Sequence, residues 1–333
     1  MVTWALPCGL GLFCPKQMEP APYLSELAGG PQTAEAFFVE ARDGVRIRIC
    51  VWRPEAQSRG TVLLFNGRTE YGEKYGKIAG KFTGRGYTVV TADWRGQGAS
   101  DRVNPDPLVG HVGQFSDYQH DADAIEHFAR IQDLPKPWFL LAHSLGGAIG
   151  LRKLCRGLDV SAAVFSAPMW GIYMSSVDRV FANILPTVAR WLGRQDGFAI
   201  KQTPDHYVLK TAFEDNVLTS NAERYGELQR HAREATHLGI GGPSYHWIGE
   251  ALSELRDLQR TPKPDVPTLV LLGTKEQTVD PEAVKAVTSN WSAATLRVIQ
   301  DGRHEMMMDL PAIQDQFLDG VFDHFEKVQS NGA

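Results

Sequence analysis

One serine of this chain stands where a strand-like apolar run meets a pair of glycines. Ser144 lies in the stretch LLAHSLGGAIG (Leu140–Gly150), and a helical pattern starts directly after it. Such a sharp turn strains its central residue and requires small neighbours two positions away, which here are Ala142 and Gly146. The pattern predicts a nucleophile elbow of the G-x-S-x-G type, in which the extra methyl group of Ala142 is tolerated. The alternative interpretation is a serine that serves only as a small turn residue.

A serine hydroxyl becomes a nucleophile only when a base takes its proton and a carboxylate orients that base. In α/β sheets with such an elbow, the chain order is serine, then acid, then histidine. His304 follows the last strand-like run, in LRVIQDGRHEMMMD, behind a glycine turn. The stretch LVLLGTKEQTVDP comes earlier and holds two acids, Glu276 and Asp280. The sequence therefore predicts His304 as the base and leaves both acids as candidates.

Acyl transfer also needs N–H groups that stabilise a developing oxyanion. The helix that begins at Leu145 directs its amino end at Ser144, so the N–H of Leu145 is one predicted donor. The second donor is predicted in NGRTEYGEKYG, the loop after the run TVLLF. Gly67 lets that loop turn closely, and Arg68 then presents its backbone N–H to the site.

The elements that must position these residues alternate between strands and helices. The runs TVLLF, YTVVTAD, WFLLA and SAAVFSAP read as buried strands, and amphipathic helical patterns separate them. This alternation predicts an α/β fold with a mostly parallel sheet and helices on both faces. The runs AFFVEA and VRIRICVW flank the turn RDG and predict an antiparallel hairpin at one edge.

The alternation breaks between about Met169 and Arg260, where the chain is helical in character and rich in Trp, Tyr and His. The sheet pattern then resumes with TLVLLG and ATLRVIQ, and a last helix is predicted over Pro311–Val328. We predict a lead-in without order over residues 1–33 and an α/β core formed by residues 34–168 together with residues 263–333. A helical insertion over residues 169–262 interrupts this core.

Composition excludes several classes of protein. The chain has 333 residues, 43% of them hydrophobic and 22% charged, with a net charge of −5, which is typical of a globular enzyme-sized domain. Because there is no basic stripe, we expect no nucleic-acid partner. The four cysteines match neither a zinc site nor a disulfide framework, which indicates reduced thiols and no metal centre.

The amino-terminal stretch MVTWALPCGLGLFCP is apolar but lacks a basic beginning, and Pro7 interrupts it. These features disfavour a signal peptide, so we expect a cytoplasmic protein. Either Met1 or Met18 can serve as the start, because the residues after Met18 read as a polar lead-in.

The quoted motifs, together with NGRTEYGEKYGKIAGKFTGRGYTVVTADWRGQGASDR and FSAPMWGI, resemble the α/β-hydrolases of the lysophospholipase and monoacylglycerol lipase group, whose wider family includes serine aminopeptidases of type S33. The resemblance implies an eight-stranded sheet, a helical lid after the sixth strand, and a serine–acid–histidine triad without metal or organic cofactor. It places the nucleophile on Ser144, the base on His304 and the acid on Glu276, where the family usually has Asp. Asp280 is the rival acid, and its alternative role is to brace the loop. Asn66, where the family often has His, leaves the donor role of Arg68 intact.

The resemblance also implies a function: hydrolysis of lysophospholipid or monoacylglycerol through an acyl-enzyme, with a lipid or ester substrate and transient contact of the lid with a membrane surface. Two alternatives stay open, a serine peptidase or aminopeptidase of the same fold and a ligand-binding homologue without catalysis. The side chains of Arg68 and Arg95 either meet a substrate phosphate or are simply solvated. Six residues either line an acyl pocket or pack the insertion onto the core: Met169, Trp170, Tyr173, Met174, Tyr245 and Trp247.

Overall fold

The computed structural model describes residues 18–331, so the apolar start of the chain with Cys8 and Cys14 lies outside the described residues. The described strands form one sheet in the order β1-β2-β3-β5-β4-β6-β7-β8-β9. In chain order these are β1 (Glu19–Pro20), β2 (Ala34–Glu40), β3 (Arg46–Trp52), β4 (Thr61–Phe65), β5 (Thr88–Ala92), β6 (Trp138–His143), β7 (Ala162–Ser166), β8 (Thr268–Gly273) and β9 (Ala294–Ile299).

The sheet is parallel from β5 to β9 and antiparallel at the edge that β1, β2 and β3 form. The predicted hairpin is present, with Ala34 opposite Trp52 and Glu40 opposite Arg46. The expected number of eight strands is one too low, because β1 pairs with Phe37 and Phe38 at the edge. A strand of two residues has no alternation from which a sequence could predict it.

The described α-helices are α1 (Ser25–Ala28), α2 (Gly76–Thr83), α3 (Tyr118–Ile131), α4 (Leu145–Cys155), α5 (Ser176–Trp191), α6 (Tyr207–Lys210), α7 (Ala222–Glu234), α8 (Tyr245–Arg260), α9 (Pro281–Ser289) and α10 (Pro311–Asn331). Strand β6 shows that helices cover both faces of the sheet. The ring of Phe139 stacks on Phe325 of α10 at 4.2 Å between centroids, whereas Ala142 packs against Gly150 of α4. Residues an odd number apart in a strand point to opposite faces, so α10 and α4 lie on opposite sides.

The lead-in was predicted to lack order, but its described stretch, residues 18–33, packs against the core. Leu27 and Ala28 are buried, and Tyr23 accepts a hydrogen bond from the indole N–H of Trp52 at 3.0 Å. Gly30 lies so close to the backbone of Gly76 that a Cβ on it would clash. These contacts are long-range and leave no periodic pattern in the sequence, which is why the lead-in gave no signal.

The segment between β7 and β8 contains the helices α5 to α8 and no strand of the sheet. Two isolated backbone bridges connect it to the core, between Ile172 and Val279 and between Gly110 and Pro243. The loops after β4, β6 and β8 leave the same edge of the sheet because these strands are parallel. Those loops carry the predicted site residues. Among residues 18–331, no helix is both long enough and apolar enough to cross a membrane.

Candidate active site

The turn at Ser144 has the strained geometry of an elbow. Ser144 adopts φ 51° and ψ −118° between the end of β6 and the start of α4, a conformation that side chains rarely adopt. A Cβ on Gly146 would lie 2.1 Å from the carbonyl oxygen of Phe65, so only glycine fits there. The methyl group of Ala142 is accommodated because Gly150 faces it across the contact with α4.

Ser144, His304 and Glu276 lie in one hydrogen-bonded chain. The hydroxyl oxygen of Ser144 is 3.0 Å from Nε2 of His304, and Nδ1 of His304 is 2.9 Å from Oε2 of Glu276. All three residues are buried. An ionised carboxylate only accepts hydrogen bonds, so Nδ1 of a neutral His304 carries the proton and Nε2 accepts the serine hydroxyl. The structure thus brings together the three residues that the resemblance selected.

The carboxylate of Glu276 is fixed from its other side as well. Its Oε1 accepts backbone N–H groups of Thr278 at 2.6 Å and Val279 at 3.0 Å. Burial opposes ionisation, but the nearby His304 and these N–H groups outweigh it and hold the pKa of Glu276 below its ordinary value. Glu276 is therefore an ionised acceptor that keeps the imidazole in one tautomer.

The rival acid has a different position and different partners. Oδ1 of Asp280 accepts the N–H groups of Glu282 at 3.0 Å and Ala283 at 3.4 Å, which makes Asp280 the N-cap of α9. Its other oxygen lies 3.3 Å from the guanidinium of Arg179. Asp280 thus secures the loop and the helix, while the imidazole of His304 contacts Glu276.

The predicted oxyanion donors are available. Among the described residues, the backbone N–H groups of Arg68 and Leu145 have no hydrogen-bond acceptor, whereas both neighbours of Arg68 in the loop do. The N–H of Gly67 donates to the Glu70 carboxylate, and that of Thr69 donates to the Gln97 amide oxygen at 2.5 Å. Free donors beside fixed neighbours are what a preorganised oxyanion site requires.

The stretch DWRGQGAS (Asp93–Ser100) helps to hold the loop that carries Arg68. The indole N–H of Trp94 donates to the carbonyl of Asn66 at 3.0 Å, and the amide of Asn66 donates to the carbonyl of Ala92 at 2.9 Å. Asp93 accepts the N–H of Gly72 at 2.8 Å and ion-pairs with Arg48. Asn66 therefore anchors the loop, which explains how a residue other than His serves at this position.

A buried charge cluster lies beside the candidate triad, and sequence reasoning missed it. Lys74 contacts the carboxylates of both Glu70 and Glu305, and Nε2 of His143 lies 3.5 Å from Oε2 of Glu305. Two carboxylates and one imidazole at this spacing have the donor types of a metal site. However, the ammonium group of Lys74 already binds both acids, so the donor set fits an internal ion-pair cluster. Glu70 and Lys74 belong to one loop, but His143 and Glu305 are far from it in sequence, so the cluster forms no motif.

Ser144 and His304 open into a cavity of about 360 Å³ beneath the inserted helices. Of the six residues expected either in a pocket or in packing, Met169 and Trp247 line this cavity. Trp170 is instead fully buried and packs on Phe165 and Trp291, at 5.0 and 6.2 Å between ring centroids. The wall is completed by aliphatic side chains that the sequence did not single out: Ile172, Val208, Val217, Leu218, Leu228, Ile240 and Val279.

The two arginines considered for a phosphate differ in the structure. Arg95 is buried, and its guanidinium pairs with Asp43 at 2.6 Å and Asp121 at 2.8 Å, so it is neither solvated nor available. Arg68 is half-buried and lines the cavity together with Ser144.

The chain shares its sequence features and its fold with known hydrolases. Residues 56–311 match the family described as Hydrolase_4, serine aminopeptidase, S33. Lysophospholipase L2 of Escherichia coli is 31% identical over 300 residues, which is 86% of each chain. Monoacylglycerol lipase of Mycolicibacterium smegmatis is 31% identical over 45% of this chain and 51% of its own.

A solved structure of a soluble variant of monoglyceride lipase from Saccharomyces cerevisiae superposes with a TM-score of 0.71 at 19% identity, covering 93% of this chain and 99% of that one. At this identity the likeness concerns the fold, and it agrees with the parallel sheet and the covering helices described above. Because the family signature spans most of the chain and the lysophospholipase L2 sequence aligns over 86% of it, the protein belongs to the Hydrolase_4 (serine aminopeptidase, S33) family of α/β-hydrolases.

Proposed function

We propose that this protein is a serine hydrolase of carboxylic esters that acts on lysophospholipid or monoacylglycerol, with Ser144 as nucleophile, His304 as base and Glu276 as the orienting acid. The observation that carries the proposal is the hydrogen-bonded chain from Ser144 to Glu276 at the floor of a cavity with largely aliphatic walls. The relatives named lysophospholipase L2 and monoacylglycerol lipase support the same substrate class.

Acylation begins when Nε2 of His304 takes the hydroxyl proton of Ser144 as the oxygen attacks the ester carbonyl. The carbonyl oxygen becomes an anion, which the N–H groups of Arg68 and Leu145 stabilise. His304 then gives the proton to the departing alcohol. The negative charge of Glu276 stabilises the imidazolium during this step, since the pKa of Glu276 is held low.

Deacylation repeats these steps with water as the nucleophile. His304 takes a proton from the water, the hydroxide attacks the acyl carbonyl, and Ser144 leaves with that proton. The released acyl chain has occupied the cavity, whose aliphatic wall includes Leu218, Leu228 and Ile240. An apolar wall of this kind favours a hydrocarbon chain over a polar substrate.

The cavity supports an ester substrate over the aminopeptidase alternative. A free α-amine needs an unpaired carboxylate in the cavity. The two buried carboxylates of the wall, Glu70 and Glu305, both bind Lys74, and the third, Asp205, is exposed to water. Comparison of monoacylglycerol with an aminoacyl amide therefore discriminates between the two activities.

The inserted segment 169–262 is, in this proposal, a lid that contacts lipid surfaces. The exposed face of α5 carries Val177, Val180, Phe181, Ile184, Val188 and Trp191, which lie at spacings of three or four residues and form one apolar stripe. An exposed stripe of this size is unusual on a protein without a partner for it. Contact with a lipid–water interface would cover the stripe and bring the cavity close to its substrate.

We retain the cytoplasm as the proposed compartment. Cys50 and Cys155 are free thiols, as expected of a reducing environment, and fractionation of cells that make the protein tests the proposal.

The first experiment treats the purified protein with a fluorophosphonate probe and locates the label by peptide mass. Labelling at Ser144 that is lost in His304→Ala supports an activated serine. Turnover of monoacylglycerol and lysophospholipid then tests the substrate class, and Ser144→Ala is expected to abolish both. An intact protein that takes no label would favour the alternative of a ligand-binding homologue.

A further inference from the structure

The side chain of Arg68 is the unusual cation of this cavity. Its Nη2 donates to the carbonyl of Gly241 at 2.6 Å, while its buried Nε has no hydrogen-bond partner among the described residues. Among residues 18–331, no carboxylate lies within ion-pair distance of the Arg68 guanidinium. A buried guanidinium N–H group without an acceptor or a counter-ion is costly, which indicates that a ligand completes the site.

Several other cations with buried side chains are neutralised within the fold. Each of four such side chains contacts two carboxylates: Arg48 with Glu73 and Asp93, Arg95 with Asp43 and Asp121, Lys153 with Asp123 and Glu126, and Lys74 with Glu70 and Glu305. The protein thus neutralises these four positive charges but not that of Arg68. Arg102 and Arg303 are half-buried and also lack a carboxylate, but among the described arginines only Arg68 has a buried N–H group without a partner.

The guanidinium of Arg68 is also held in place. It lies over the ring of Trp247, 5.4 Å from the centroid, and its bond to Gly241 fixes one end of the fork. Burial lowers the pKa of Arg68 to about 10, which still leaves the side chain charged at neutral pH. Arg68 therefore places a fixed positive charge in the cavity wall, and its Nε is a donor without an acceptor among the described residues.

We infer that Arg68 binds the phosphate of a lysophospholipid head group and sets the preference of the enzyme for phosphorylated over uncharged glycerol esters. This inference rests on the proposed function and deepens it. Arginine suits this role because its planar fork donates two parallel hydrogen bonds to a phosphate. The phosphate supplies the negative charge that no carboxylate of the described residues provides.

The covalent arrangement of the substrate agrees with this assignment. The backbone N–H of Arg68 is the proposed donor to the ester oxyanion, so its guanidinium lies one arginine side chain away from the reacting carbonyl. In a lysophospholipid, the phosphate lies one glycerol unit away from the same carbonyl. Arg68 thereby contacts a lysophospholipid twice, through its backbone N–H at the ester oxyanion and through its guanidinium at the phosphate. A monoacylglycerol has no phosphate and makes only the first contact.

The test compares kcat/KM for a lysophosphatidylcholine and for a monoacylglycerol that carries the same acyl chain. Arg68→Gln retains the backbone N–H and an amide donor for Gly241 but removes the charge. The ratio of the two kcat/KM values is expected to fall about ten- to a hundredfold in Arg68→Gln, as is typical for hydrogen bonds to charged groups. Arg68→Lys, which keeps the charge, is expected to recover some of the lost ratio.

Lys210 provides the matched control, because it is an exposed cation at the rim of the same cavity. Lys210→Gln removes one positive charge as well and is expected to lower the ratio much less. All rates are divided by the concentration of serine that the fluorophosphonate probe titrates, so partial misfolding of a variant does not affect the comparison.

An unchanged ratio in Arg68→Gln would overturn the inference and leave Arg68 as a strut between the loop and Gly241. Inorganic phosphate that alters monoacylglycerol turnover in the wild type alone, again with an unchanged ratio, would assign Arg68 to free phosphate instead of a head group. If the wild type labels at Ser144 but hydrolyses neither ester, the proposed function itself fails, and that result is distinct from an unchanged ratio.

Discussion

The imidazole rings of His143 and His304 lie side by side, 4.8 Å apart between centroids and inclined by 48°. His143 directly precedes Ser144 and donates from Nδ1 to the carbonyl of Ser166 at 3.1 Å. Its Nε2 faces Glu305, the residue after His304. The elbow and the histidine loop are therefore joined by a second, buried polar link besides the one between Ser144 and His304.

This link leads to a prediction about pH. Burial alone would lower the pKa of His143, but the carboxylates of Glu305 and Glu70 outweigh burial and the repulsion of Lys74, and the pKa is raised. A raised pKa in the folded state means that His143 binds its proton more tightly there than in the unfolded chain. Its contribution to the free energy of unfolding is thus complete below the ordinary value of 6.5 and is lost as the pH rises above it.

The measurement is urea unfolding of the wild type and of His143→Gln at pH values from about 6 to 9. The difference in unfolding free energy between them is expected to shrink as the pH rises. Taking the difference cancels the contributions of the other histidines to the unfolding free energy. Several of these histidines have lowered pKa values, so their contributions change with pH in the opposite direction. A difference that stays constant over this range would show that folding does not raise the pKa of His143.

The cluster around Lys74 yields a prediction about stability. Lys74 lies between two carboxylates, and Lys74→Met leaves both of them buried without their cation. We expect a loss of about 3–5 kcal/mol, as is typical when one partner of a buried pair is removed. Lys136→Met is the control, since the ion pair of Lys136 with Asp159 is exposed and should contribute at most about 1 kcal/mol. Equal losses in the two variants, measured by urea unfolding, would contradict this prediction.

The choice between the two acids is testable with isosteric variants. Glu276→Gln keeps the shape but removes the charge that orients and stabilises the imidazolium, so kcat is expected to fall about 10³–10⁴-fold. Asp280→Asn keeps a good N-cap for α9 and loses only an exposed ion pair with Arg179, so kcat should stay near that of the wild type. The reverse order of effects in steady-state kinetics would make Asp280 the acid.

The backbone strain at Ser144 predicts that glycine at this position gives a more stable protein than alanine. Ser144 has a positive φ that glycine adopts without penalty. Ser144→Gly is therefore expected to unfold with a free energy about 1 kcal/mol higher than Ser144→Ala, which keeps the strained Cβ. Both variants lack the Ser144 hydroxyl, so the difference between their unfolding free energies in urea reports the backbone strain. A glycine variant no more stable than the alanine variant would mean that the turn is relaxed.

The sequence was sufficient to predict the elements that depend on local pattern. The run before Ser144 is apolar and the residues after it are small, so strand, turn and helix follow from neighbouring residues. Glu276 likewise follows the buried strand β8 and His304 follows the edge strand β9, and the parallel order of β6, β8 and β9 brings their ends to one edge of the sheet. Such features can be predicted from a single sequence because burial and tight turns require particular residue types within a few positions.

The features that were not predicted depend on where distant segments cross. Val208, Leu218 and Ile240 come to the cavity wall from short helices and irregular turns without any period. Lys74 meets Glu305, 231 positions later, only because the loops after two different strands converge. Trp170 is of a residue type that is common in pockets, yet it follows β7 and packs in the core against Phe165. Tertiary packing, and not local preference, decides these positions.

The last prediction concerns the apolar stripe of α5. Val180 is 57% exposed on this helix, and Val298 on the edge strand β9 is similarly exposed, at 51%. If α5 contacts lipid, Val180→Ser should weaken cosedimentation with phospholipid vesicles and raise KM for monoacylglycerol presented in them, because buried apolar area contributes to interfacial binding. Val298→Ser removes the same groups from a different element and should alter neither. Equal vesicle binding by both variants would show that the stripe does not contact the membrane, since an interfacial helix loses affinity with every apolar group taken from its buried face.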